Sequence, residues 1–140
     1  MGSGPMTPEQ SRAQVLDAAR DIVRVLPLDV TRVLLWLASC NDQHQGPFRS
    51  VISIWYPPAS TLEASDAEVA EMIWRLQADR WTADTDFMSH GDAVTKDDVV
   101  VVLAPQAVGD TNRSIHLYGE CRDVTTTAAT VGYPEEITLD

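Results

Sequence analysis

Between Val15 and Leu26 the apolar residues Val15, Ala18, Ala19, Ile22, Val25 and Leu26 recur at helical spacing. Arg12, Asp17, Asp21 and Arg24 fall on the opposite face. Thr7-Pro8-Glu9-Gln10 stands just upstream. Thr7 can cap a helix, Pro8 suits the first helical position, and Gln10 completes a capping box. Pro27 then stops the helix. The pattern predicts an amphipathic helix lying on a core.

The period then shortens. Thr31 to Ser39 is dense in Val, Leu and Trp and reads as a strand buried on both faces. Asn41 to Pro47 is a polar loop, and Arg49 to Tyr56 is a second strand ended by Pro57-Pro58. Ser65-Asp66-Ala67-Glu68 has the form of a capping box, followed by a stripe of Val69, Met72, Ile73 and Leu76. That predicts a second helix from Ser65 to about Asp79. Trp81 to Ser89 reads as a third strand, with Gly91-Asp92 in the connection after it. Asp98 to Ala104, with four consecutive valines, reads as a fourth. Arg113 to Cys121 alternates most clearly: Ile115 and Leu117 on one face, Ser114, His116, Tyr118 and Glu120 on the other.

The order is thus α-β-β-α-β-β-β. Consecutive strands joined by short loops make a mostly antiparallel sheet. The expected fold is α+β, a two-layer sandwich of a five-stranded sheet with two helices on one face. Residues 7–123 form a single domain in this reading. Residues 1–6 read as a cloning remnant, and 124–140 as a loosely packed acidic tail.

Composition narrows the partners. The 140 residues are 44% hydrophobic and 22% charged, as in an ordinary globular domain. Net charge is −11, with a single lysine, Lys96, and nine scattered arginines. Nucleic-acid binding needs clustered cations, so no nucleic-acid partner is expected. No apolar run approaches the length of a membrane span. The two cysteines, Cys40 and Cys121, fit free buried thiols or one disulfide. Each ends an apolar strand before a polar loop, which favours the disulfide and an oxidising compartment.

Ser39-Cys40-Asn41-Asp42-Gln43, followed by Gly46-Pro47-Phe48-Arg49, resembles the first-cysteine segment of small exported actinobacterial lipoproteins. Gly119-Glu120-Cys121 resembles their late Gly-x-Cys segment. The likeness extends over residues 8–124 and is to the LppA-like family of mycobacterial lipoproteins. It implies an exported, lipid-anchored domain of the cell envelope with a Cys40–Cys121 disulfide, and it carries no catalytic residues to transfer. The first helix has no signal sequence or acylated cysteine ahead of it. On this reading the membrane is reached only through an N-terminal lipid anchor that has been removed.

Enzymatic chemistry finds little footing. His44, His90 and His116 match no zinc spacing, so no metal and no cofactor are expected. There is no Gly-x-Ser-x-Gly elbow or phosphate loop, and Gly109-Asp110 reads as a turn. Asp84 and Asp86 lie two apart on one expected strand, which suits a solvated face better than a catalytic pair. Asp97-Asp98 reads as a turn or strand entry. The four tryptophans, Trp36, Trp55, Trp74 and Trp81, read first as core.

Two binding surfaces remain. If Ile115 and Leu117 face the helices, then His116, Tyr118 and Glu120 make a face pointing away from them. Asn41, Asp42 and Arg49 could form a recognition loop, or serve the turn itself. The expected function is a non-enzymatic binding or scaffolding module with an envelope protein as partner. The alternative is a carrier of a small apolar ligand or lipid between helices and sheet, lined by Trp74 and Met72.

Overall fold

A computed structural model describes residues 4–41, 43, 45–83, 92–103, 106 and 112–139. Helix α1 (Pro8–Val25) begins as its sequence dictates. The Thr7 hydroxyl accepts from the Gln10 N–H, and the Gln10 side chain accepts from the Thr7 N–H. Val15, Ala19, Ile22 and the capping Leu26 are buried along one stripe. Ser11 lies on that stripe too, and its hydroxyl pairs with that of Ser50 at 2.8 Å.

Helix α2 (Leu62–Ala78) starts earlier than the Ser65 box predicts. Thr61 caps it, its hydroxyl accepting from the Ala64 N–H at 3.0 Å. Two capping residues stand four apart, and the helix takes the first, gaining a turn. Ser65 is left inside the helix, fully buried, its hydroxyl without a hydrogen-bond partner. The expected stripe holds: Val69, Met72 and Leu76 are buried and Ile73 partly so.

The strands are β1 (Arg32–Ser39), β2 (Phe48–Tyr56), β3 (Thr82–Ala83), β4 (Asp92–Lys96), β5 (Val99–Leu103), β6 (Arg113–Tyr118) and β7 (Glu135–Glu136). Among the described residues they form one antiparallel sheet of seven strands in the order β3-β4-β5-β6-β2-β1-β7. The fold is α+β, as expected, but five strands were too few. The expected strand over 81–89 is present as β3 alone, and residues 84–91 lie outside the described residues. β4 was missed because Asp92-Ala93-Val94-Thr95-Lys96 carries so little apolar surface. It turns into β5 through Asp97 and Asp98, both at positive φ (51° and 66°). A two-residue hairpin turn needs that conformation, which Asp tolerates better than most residues.

The other two differences are at the β1 edge. β1 pairs with only two residues of β7, and it is buried on one face only: Val33 and Leu35 are buried while Leu34 and Trp36, on the face turned from the helices, are half-buried. The tail read as loosely packed supplies β7, and Ile137 donates to the Val33 carbonyl while packing with Leu139 against the core.

Alternate sheet residues share one hydrophobic cluster with both helices. Val33, Leu35, Ile52, Ile54, Ile115, Leu117, Val101 and Leu103 meet Val15, Ile22 and Leu76 there. Trp81, 2% exposed, closes one end. Its indole N–H donates to the Asp21 carboxylate at 3.1 Å, and Lys96 donates to the same oxygen at 3.1 Å and to Asp79 at 3.2 Å. Arg24 also bonds Asp21 and Asp79. The single lysine thus ties α1, the end of α2 and β4 together.

Two outcomes test this packing. Leu76→Ala should cost about 2 to 5 kcal/mol in denaturant melts, since the side chain is fully buried. An unchanged melt would show that α2 presents another face. Burial alone would raise the Asp21 pKa, but its bonds to Arg24, Lys96 and Trp81 outweigh it and hold the pKa at about 2 against 3.8 ordinarily. A depressed carboxylate stabilises the fold above its unfolded pKa and loses that contribution as pH falls through the folded one. Stability should therefore drop between pH 3.8 and about 2, and Asp21→Asn should flatten that limb.

Candidate functional site

The pleat places a second set of side chains on the face turned from the helices. Cross-strand pairs align Arg32 with Trp55 and Ser114, Leu34 with Ser53, His116 and Val102, and Trp36 with Val51, Tyr118 and Val100. Val51, Ser53 and Val102 are buried, while Trp55, His116 and Tyr118 are only half-buried. Large rings thus lie over a small-residue floor. The His116 and Tyr118 rings stack at 6.3 Å with 25° between their planes. The Arg49 guanidinium lies 4.8 Å over the Tyr118 ring, and Arg32 5.3 Å over Trp55. The Trp55 indole donates to the Ser53 hydroxyl at 2.9 Å. Burial holds the His116 pKa below the ordinary imidazole value, which favours the neutral ring.

Glu120 does not join this face. Its carboxylate accepts from Gln14 of α1 at 2.8 Å and from Arg122 at 2.9 Å. The alternation that seemed to include it stops at Tyr118. Val51 faces Tyr118 across the ladder, yet three residues along β2 Phe48 faces Asp123 rather than Cys121. The two extra residues make a bulge. Just before the bulge Gly119 still bonds Ser50 through its N–H, and a Cβ there would lie 3.0 Å from Gln14 Oε1 and Val15 Cγ1 of α1.

The bulge frees Cys121 to bond Cys40, with Cα atoms 6.1 Å apart. The bridge closes a span of 81 residues, for which chain-entropy models give roughly 4 to 5 kcal/mol. Asn41, beside it, serves the turn. Its amide donates to the Gln45 and Gly46 carbonyls, and its oxygen accepts from the Gln43 and Gln45 N–H groups. Asp42 and His44 lie outside the described residues, as do His90, Asp84, Asp86 and Gly109-Asp110. Arg49 belongs to the sheet face rather than the loop. Among the described residues no group of three or more His, Cys, Asp or Glu is placed to hold a metal.

The tryptophans divide. Trp81 is core, Trp36 and Trp55 are half-buried, and Trp74 is 68% exposed. Trp74 follows Met72 by two residues, which puts it on the other side of α2, so it does not line an interlayer pocket with Met72.

One cluster was not anticipated. Arg113, 7% exposed, stacks 4.4 Å over the Tyr56 ring, donates from Nε to the Pro57 carbonyl at 2.9 Å and from Nη1 to Glu68 at 3.1 Å. The Tyr56 hydroxyl is buried without a hydrogen-bond partner, and burial raises its pKa. The available signal was an arginine in phase with Ile115 and Leu117, on the side that should be apolar.

The family described as Putative lipoprotein LppJ matches residues 7–140. The chain belongs to that family. The likeness read from the cysteine segments agrees with this match at the level of a lipoprotein family. No curated protein and no solved structure matches the chain. No described helix is long and apolar enough to cross a membrane.

Thiol titration of oxidised, unfolded protein should detect no free thiol. Two titratable thiols would remove the bridge and the argument for an oxidising compartment.

Proposed function

We propose that this LppJ-family protein is an exported, lipid-anchored domain of the cell envelope. It acts as a non-enzymatic binding or scaffolding module through the sheet face of His116 and Tyr118. Membership in a lipoprotein family supports the anchor and export. The disulfide supports an oxidising compartment. The observation that carries the binding role is the pair of cation–aromatic stacks beside His116, half-buried on the face opposite the helix core. Rigid aromatic rings and arginines are the residue types that concentrate binding energy at interfaces. A net charge of −11 favours a neutral or basic partner protein over nucleic acid.

A second reading, carriage of a small apolar molecule, draws on the cleft beside Met72, Tyr56 and Arg113. It places the ligand at one end of the core, away from Trp74.

Tyr118→Ala should weaken capture of an envelope partner by immobilised protein while leaving the melting curve almost unchanged. Loss of folding together with capture would assign Tyr118 to the structure alone and remove this face from consideration.

A further inference from the structure

A cleft of about 520 Å³ opens between the β2–α2 connection, the segment after α1 and the near side of α2. That volume lies within the usual range for small-molecule sites. Its walls include Pro57 and Met72, its floor Tyr56 and Arg113, and its rim Glu68 and Asp29. Two features of the floor call for a ligand. The Tyr56 side chain is buried, and its hydroxyl has no hydrogen-bond partner. A buried donor left unmade is costly, and a carboxylate that displaced Glu68 and reached the hydroxyl would remove that cost. The Arg113 side chain is 6% exposed, yet the carboxylate bonded to it, Glu68, is 46% exposed. A half-exposed partner is held weakly and can swing into water at little cost.

We propose that the cleft binds a small amphipathic monocarboxylate. Its carboxylate takes the place of Glu68 on Arg113 and accepts from the Tyr56 hydroxyl, while its apolar body lies against Pro57 and Met72. Glu68 already shows that the guanidinium edge takes a carboxylate at 3.1 Å. Asp29 at the rim disfavours a second negative charge at the outer end, so the ligand carries one. This inference rests on the carrier reading and is independent of the sheet face.

Octanoate is a suitable probe, with octanol as its uncharged counterpart. Titration followed by amide NMR should show saturable octanoate binding, with shifts centred on Tyr56, Arg113 and Ala59, and much weaker binding of octanol. Tyr56→Phe keeps the ring and the fold, and should weaken octanoate binding about three- to tenfold. Glu68→Gln removes the internal competitor and a repelling charge. It should tighten binding several-fold, whereas a purely structural Glu68 would leave affinity unchanged. Tyr118→Ala should leave octanoate binding as it is, which separates a failure here from a failure of the sheet-face reading. The proposal is overturned if octanoate does not saturate, if octanol binds as well, or if neither the Tyr56 nor the Glu68 variant changes affinity.

Discussion

The close approach of α1 to Gly119 organises this molecule. A helix can lie that near a strand only where the strand has no side chain, and Gly119 would bring a Cβ against Gln14 and Val15. Gly119 still donates its N–H to the Ser50 carbonyl; beyond it the β6–β2 ladder breaks, two residues bulge out, and the chain rejoins β2 at Asp123. Three features follow directly along the chain. Glu120 turns toward Gln14 on the helix side. Cys121 leaves the ladder and reaches Cys40. Asp123 caps the turn beyond, accepting from the Thr125 and Thr126 N–H groups. The segment that carries the disulfide and the segment that seats α1 are the same.

The two faces of the sheet differ in how completely they are closed. On the helix side Ile52, Ile54, Ile115, Leu117, Val101 and Leu103 have no exposure. That uniform burial is what stabilises the domain, since apolar area removed from water is the main favourable term. On the other side the floor of Val51, Ser53 and Val102 is buried beneath rings that keep part of their surface in water. Arginine–aromatic stacks hold those rings in place. A surface so ordered carries a smaller entropic cost on association than one of mobile side chains.

Legibility followed the strength of local signals. The α1 cap, the apolar stripes of both helices, and the strands β1, β2, β5 and β6 were readable because periodicity and capping chemistry agree there. The Cys40–Cys121 pair was readable because each residue ends an apolar run. β4 and β7 were not, since Asp92–Lys96 and Glu135–Glu136 pair through backbone and offer little apolar pattern. The role assigned to Glu120 failed for a related reason. A period-two pattern says nothing of a bulge, and a single glycine before Cys121 was the available hint. Of the candidate site, His116 and Tyr118 were legible from alternation. The stacking of Arg49 and Arg32 on rings of neighbouring strands depends on register, which one strand's sequence does not contain.

The two helices are not equally bound to the sheet. α1 is tied by polar contacts along its length: Ser11 to Ser50, Gln14 to Glu120, and Asp21 to Lys96 and Trp81. α2 is held by Val69, Met72 and Leu76, by Asp79 at its end, which bonds Lys96 and Arg24, and by Glu68 reaching Arg113 from an exposed position. Among the described residues the buried hydroxyls without partners, Ser65 and Tyr56, lie in α2 and in a residue lining the cleft beside it. Unsatisfied donors lower the stability of the closed arrangement on that side. The polar anchors of α2 stand at Glu68 and Asp79, and the unsatisfied Ser65 and Tyr56 hydroxyls mark the side of the core beside its N-terminal half as the less completely bonded one.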